Sequence, residues 1–125
     1  MILDTNAVSA ILAGDPALER VLSVSDWHHL PVIVVGEYLF GLMGSRHRKR
    51  LQQLFGRLEA ESIILYADRE TADHYAAIRH ELKKKGRPIP ENDVWIASLA
   101  RQYDLQIVSL DLHLDHIRGL ARVAW

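Results

Sequence analysis

The sequence predicts an α/β fold with a mainly parallel sheet of four to five strands and helices on both faces. Two observations carry this. Short apolar runs that favour strand alternate with longer segments whose apolar residues recur at helical spacing. Two of those runs, Ile2-Leu3 and Ile107-Val108, lead into carboxylates, Asp4 and Asp111. In open parallel sheets the carboxyl edge of the strands is where ligands bind.

The elements follow in order. Ile2-Leu3 reads as a buried strand. Ala7, Val8, Ile11 and Leu12 hold helical spacing, with Asn6 as the expected N-cap and Gly14 as the stop. Asp15-Pro16 opens a second helix, with Asp as cap and Pro at the first turn. His28 to Leu30 suggests a second strand, ending near Pro31, before a helix that carries Glu37. Over Arg46 to Leu58, the residues Leu51, Leu54, Phe55 and Leu58 form one stripe on a polar helix. Ile63 to Tyr66 suggests a strand, and Asp68 the cap of the next helix. Ala72, Tyr75, Ala76 and Leu82 are expected on that helix's inner side, and Gly86 ends it. After the stiff Arg87-Pro88-Ile89-Pro90, Asn92 is the expected cap of a helix containing Ile96, Leu99 and Ala100. Ile107-Val108, a short helical segment through Ile117, and a last edge strand from Arg122 to Trp125 complete the pattern. One domain over residues 1–125 is expected, a length sufficient for a core.

Composition narrows the function classes. A net charge of -1 removes any bulk electrostatic case for nucleic-acid binding, so such binding must rest on local patches. Without cysteine there are no disulfides and no thiolate metal sites. No basic region followed by a long apolar stretch opens the chain, and its longest apolar run, Pro31 to Val35, is too short to span a bilayer. A cytoplasmic chain without membrane contact is expected.

Four acids stand apart. Asp4 and Asp111 close apolar strands, Asp93 falls in the first turn of a helix, and Glu37 lies among Val34, Val35, Tyr38 and Leu39. Singly, each has a plain reading: Asp4 and Asp111 as turn or cap residues, Asp93 as an acid favoured by the helix dipole. Glu37 is harder to dismiss, because a carboxylate in an apolar segment needs a partner. Together they suggest one shared edge, where clustered carboxylates require a cation. Oxygen ligands without cysteine or a patterned histidine pair favour Mg²⁺ or Mn²⁺ over Zn²⁺. His113 and His116, near Asp111, read as polar lining.

The residues around these acids resemble the motifs of PIN-domain ribonucleases, and more narrowly those of VapC-type toxins. Met-Ile-Leu-Asp-Thr-Asn at the start is similar to the family's first acidic motif. Val35 to Gly41, Ile89 to Ala97 and Ile107 to Ile117 resemble the later ones, in family order and over almost the whole chain. The resemblance implies a PIN-like three-layer α/β/α fold. It implies that Asp4, Glu37, Asp93 and Asp111 bind metal, with Thr5 and Asn6 lining the site. Asp115, also in the last motif, is expected to assist or replace Asp111; Ser109 and Leu114 depart from the usual residues of that motif, a departure that bears on Asp111 alone of the four acids. The implied activity is endonucleolytic cleavage of RNA with Mg²⁺, Mn²⁺ being possible, activating water. The implied partners are a VapB-type antitoxin and a second copy of the chain. Two basic runs, Arg46, Arg48, Lys49 and Arg50, and Lys83, Lys84, Lys85 and Arg87, are candidate RNA contacts.

Other acid-bearing α/β modules fit less well. A receiver domain needs an acidic pair and a late lysine, and no lysine follows Lys85. A haloacid-dehalogenase-like phosphatase needs a second aspartate where Asn6 stands. The rival that remains is a degenerate PIN domain acting as a binding module.

Overall fold

The computed structural model describes residues 1–125. Five strands form one sheet: β1 (Ile2–Leu3), β2 (His29–Pro31), β3 (Ile63–Leu65), β4 (Ile107–Val108) and β5 (Arg122–Val123). Their order is β3-β2-β1-β4-β5 and every neighbouring pair is parallel. Six α-helices connect them: α1 (Thr5–Leu12), α2 (Pro16–Leu22), α3 (Val32–Leu42), α4 (Arg48–Glu61), α5 (Arg69–Lys84) and α6 (Glu91–Tyr103). A 3-10 helix, Leu112–His116, precedes β5.

The topology positions the site. From β1 the chain steps outward to β2 and β3, then returns past β1 to β4 and out to β5. Right-handed crossovers therefore put the helices between β1 and β3 on one face, and those between β3 and β4 on the other. The direction of travel reverses between β1 and β4. A crevice opens at the carboxyl ends of such a pair, because the flanking helices diverge there.

The core explains why strands this short hold. Ile2, Leu3, Leu30, Ile107 and Val108 are fully buried, and Val8, Val34, Phe55, Ile78, Ile96 and Leu99 cover them from the helices. The central strands read as continuous apolar runs because both faces are covered. Tyr75 stacks on Trp95 at 4.0 Å between ring centroids, joining α5 to α6.

Several local expectations are corrected. Asp4, not Asn6, caps α1: its Oδ1 accepts the Thr5 N–H at 2.8 Å, so the helix begins directly after the strand. Asn92 lies inside α6, whose cap position is Pro90. Proline holds φ at -53° there, compatible with helix entry, while a ψ of 143° keeps the residue outside the helix, which starts with no side-chain cap. Helix α4 begins at Arg48, after Ser45 and a turn. The inner stripe of α5 is Thr71, Ile78 and Leu82, while Ala76 is exposed. Leu39 on α3 also faces outward. The capping of α5 by Asp68 and of α2 by Asp15 is as expected. Asp68 and Thr71 exchange hydrogen bonds in a capping box, and Asp15 Oδ1 accepts from Ala17 N at 2.9 Å. Asp15 Oδ2 also accepts from the Trp125 indole at 3.1 Å, tying the chain end to α2. No helix is long and apolar enough to cross a membrane.

Candidate metal centre at the β1/β4 crevice

Asp4 leaves β1 and Asp111 follows β4, so the two acids flank the point where strand order reverses. Asp4 is buried, at 5% exposure. Its Oδ2 accepts a 2.6 Å hydrogen bond from the Ser109 hydroxyl. That hydroxyl oxygen in turn accepts from Asn6 Nδ2 at 3.2 Å and from the Asp111 N–H at 3.0 Å. Asn6 Oδ1 accepts the Leu110 N–H at 3.2 Å. This net stitches the end of β1 to the end of β4 and fixes the backbone from which Asp111 projects. Asn6 thus braces the site, and Ser109 is its hub.

Glu37 arrives on α3. Its Oε1 is fully buried and has no hydrogen-bond partner, and neither has the equally buried Oγ1 of Thr5. Burial pushes the Glu37 carboxyl above its usual range, the nearby Asp4 adds to this, and the proximity of Thr5 pulls slightly back. Asp93 stands at the third position of α6, where the helix dipole favours an anion. Its pKa is nonetheless pushed up to about 6. Burial is the largest cause, followed by the charges of Asp4, Asp111 and Glu37, with a small offset from His113. Four carboxylates from four separate elements therefore feel one another. No lysine or arginine forms an ion pair with any of them.

His113 belongs to the same group. Its Nε2 lies 3.0 Å from Asp111 Oδ1, and donor atoms of Asp93, Asp111 and His113 all fall within 4.8 Å of one another. The i to i+2 spacing gave no signal, because on an α-helix such residues do not face each other. Here Asp111 is extended, at φ -80° and ψ 109°, and a tight 3-10 turn brings the ring back over it. Ser109 was visible only as a departure from a motif; its three contacts span up to 105 residues.

Asp115 sits elsewhere. Its two oxygens accept from Arg122 Nε at 2.8 Å and Nη2 at 2.9 Å, and the arginine holds its carboxyl below the usual range. The same guanidinium donates to the Ser109 carbonyl at 3.0 Å. Asp115 thus anchors β5 and the Ser109 backbone; its oxygens are already engaged, which argues against the expected substitution for Asp111.

The basic runs differ in setting. Lys83 and Lys84 lie in the last turn of α5, where any cation is favoured, and Lys85 Nζ donates to the His116 carbonyl at 3.0 Å. Arg48, Lys49 and Arg50 form the first turn of α4, which has neither an acid nor a side-chain cap. Cations there oppose the helix dipole. A groove of about 390 Å³ is lined by Thr5, Glu37, Ser45 and Leu51; Glu37 is the one of the four acids that lines it, and Leu51 is its contact with α4.

An oxygen-rich donor set with two orphaned buried oxygens suits a hard divalent cation. The chain matches the family model described as "PIN domain" over residues 1–120. It is 30% identical to ribonuclease VapC1 of Haemophilus influenzae strain R2866, over 98% of this chain and 93% of that protein. It is 31% identical to toxin FitB of Neisseria gonorrhoeae, over 89% of this chain and 87% of that protein. Among solved structures, VapBC2 from Rickettsia felis bound to promoter DNA matches with a TM-score of 0.91 at 22% identity, over 99% of this chain and 97% of that one. VapBC-1 from nontypeable Haemophilus influenzae matches at 0.84 and 26% identity, over 99% and 96%. Sequence, fold and the crevice acids agree: the chain belongs to the PIN-domain family, among its VapC ribonucleases.

Proposed function

We propose that this chain is a divalent-metal-dependent endoribonuclease that acts as the toxin of a VapBC-type pair. The carrying observation is the convergence of Asp4, Glu37, Asp93 and Asp111 at one crevice, with no lysine or arginine paired to any of them. Asp4, Asp93 and Asp111 would hold the cation. Glu37 and Thr5 offer free oxygens to it or to a water. Such a cation, when bound, makes water nucleophilic near neutral pH and offsets charge building on a phosphodiester. Asn6 and Ser109 keep Asp4 and Asp111 in register, and burial strengthens every interaction in the crevice. Mg²⁺ is the expected ion.

The substrate reading rests on the basic start of α4, whose next residue, Leu51, lines the groove that Glu37 also lines. A phosphate backbone held by Arg48, Lys49 and Arg50 would lie beside that groove. Cations that weaken their own helix have no structural reason to be there, which favours this run over the one at Lys83. The antitoxin reading rests on structural neighbours, two of which are described as toxin–antitoxin assemblies. The exposed side of α3 and its C-cap, with Phe40 at 81% and Met43 at 62% exposure, is where a second copy would pack.

The test is cleavage of a mixed RNA pool by the purified chain, with Mg²⁺, with Mn²⁺ and with chelator. Cleavage should need the metal and vanish in Asp4→Asn. Activity should also become less salt-sensitive in Arg48→Ala/Arg50→Ala. Saturable metal binding without cleavage would replace the nuclease with a binding module. Growth arrest on expression, relieved by the product of an adjacent small gene, tests the toxin role.

A further inference from the structure

We propose that His113 is a metal ligand, completing with Asp93 and Asp111 a mixed nitrogen–oxygen site that prefers Mn²⁺ to Mg²⁺. This rests on the metal-centre reading above and goes beyond its four acids. The first support is distance. Two donors bound side by side to one octahedral ion at about 2.1 Å stand about 3 Å apart. Asp111 Oδ1 and His113 Nε2 are separated by 3.0 Å, and a donor atom of Asp93 lies within 4.8 Å of both, so a small side-chain rotation would bring it onto the same ion.

The second support is rigidity. The His113 N–H donates to the same Asp111 Oδ1 at 3.2 Å, and Asp111 N–H donates to Ser109. Ring and carboxylate are carried by one short turn whose start is pinned to Asp4 through Ser109. No chain movement is needed to bring them onto one ion. The third is access. The ring is half-exposed while Asp111 is three-quarters covered, so His113 forms the outer lip of the crevice, where an ion enters.

The chemistry then sets the preference. An all-carboxylate site serves Mg²⁺ and Mn²⁺ alike. An imidazole nitrogen suits the transition metal, whereas Mg²⁺ retains oxygen ligands and water.

The experiment uses the full chain, wild type, His113→Gln and Asp93→Asn, with Mn²⁺ and Mg²⁺ titrated calorimetrically and the Mn²⁺ forms examined by pulsed electron paramagnetic resonance. The wild type should show nitrogen coupling from a directly bound imidazole. His113→Gln should lose that coupling and bind Mn²⁺ at least ~10-fold more weakly, with Mg²⁺ affinity changed much less. Bound Mn²⁺ without nitrogen coupling in the wild type overturns the proposal. So does coupling, or wild-type Mn²⁺ affinity, that survives in His113→Gln. Undiminished metal binding by Asp93→Asn sinks the metal-centre reading itself, a separate result. Because the wild-type spectrum decides alone, a misfolded variant does not protect the idea.

Discussion

The hydroxyl of Ser109 donates a 2.6 Å hydrogen bond to Asp4 Oδ2, joining the first strand of the chain to the fourth. The same oxygen accepts from Asn6 and from the Asp111 backbone. Removing it strands a buried carboxylate oxygen and an N–H. Ser109→Ala is expected to cost about 1–3 kcal/mol in denaturant unfolding. RNA cleavage should fall as well, because Asp111 loses its tether. Ser109→Thr keeps the hydroxyl and should recover most of both. Equal activity in Ser109→Ala and wild type would show the net to be decorative.

Asp93 predicts an unusual pH dependence for the metal-free protein. Its folded pKa, about 6, lies above the ordinary value of 3.8. Between those values the folded state holds more protons than the unfolded state, so stability falls as pH rises through this window. The loss is complete above pH 6 and relieved below 3.8. Asp93→Asn should therefore raise the melting temperature of the chelator-treated protein at pH 7.5 by a few degrees. The gain should shrink at pH 4. Added metal should stabilise the wild type and not the variant. A variant that melts lower than wild type at pH 7.5 would contradict the repulsion.

Asp111 and Asp115 separate cleanly. Asp115 holds Arg122, which holds the Ser109 carbonyl, so Asp115→Asn should loosen β5 and lower the unfolding midpoint slightly, as expected for a solvent-screened pair. Its metal affinity should stay near wild type. Asp111→Asn should do the reverse, weakening metal binding ~10-fold or more with little effect on folding. Calorimetric titration of both variants checks the pair, and matching affinity losses would merge their roles.

His29 acts at the opposite sheet edge. Its Nδ1 is buried without a partner, and its pKa is lowered, chiefly by burial and then by the adjacent Met1 ammonium. The unfolded chain takes up the proton first, near 6.5. Stability from this residue is complete above 6.5 and is lost as pH falls from there through the lower folded value. This opposes the Asp93 effect in part of the same range, so the wild-type curve alone can look flat. The difference between wild type and His29→Gln should expose the slope. A constant difference from pH 7.5 to 5 would rule it out.

The fold was legible because its signals were local. Apolar runs closed by acids marked β1 and β4, and Asp15-Pro16 and Asp68 marked helix starts. The misplacements share a cause. Asp4 serves as both strand end and helix cap, so Asn6 had no cap to form. Pro90 starts α6 through its backbone angle, which freed Asn92. Glu37 was conspicuous because apolar neighbours on α3 made a carboxylate anomalous. Ser109 and His113 were not, because their significance lies in contacts made across the sheet or around a non-helical turn. The distinction between Asp111 and Asp115 likewise needed Arg122, a partner from the last strand.

The strand order has a consequence for synthesis. The strand β1 precedes the other four in the chain, sits in the middle of the sheet and must wait for β4 to become its second neighbour. A chain still growing at Tyr103 has Asp4, Glu37 and Asp93 but neither Asp111 nor the Ser109 hydroxyl that aligns it. The crevice is complete only once β4 and the turn that follows it have been made and have joined β1. On the proposed mechanism, no segment ending before Ser109 could cut RNA.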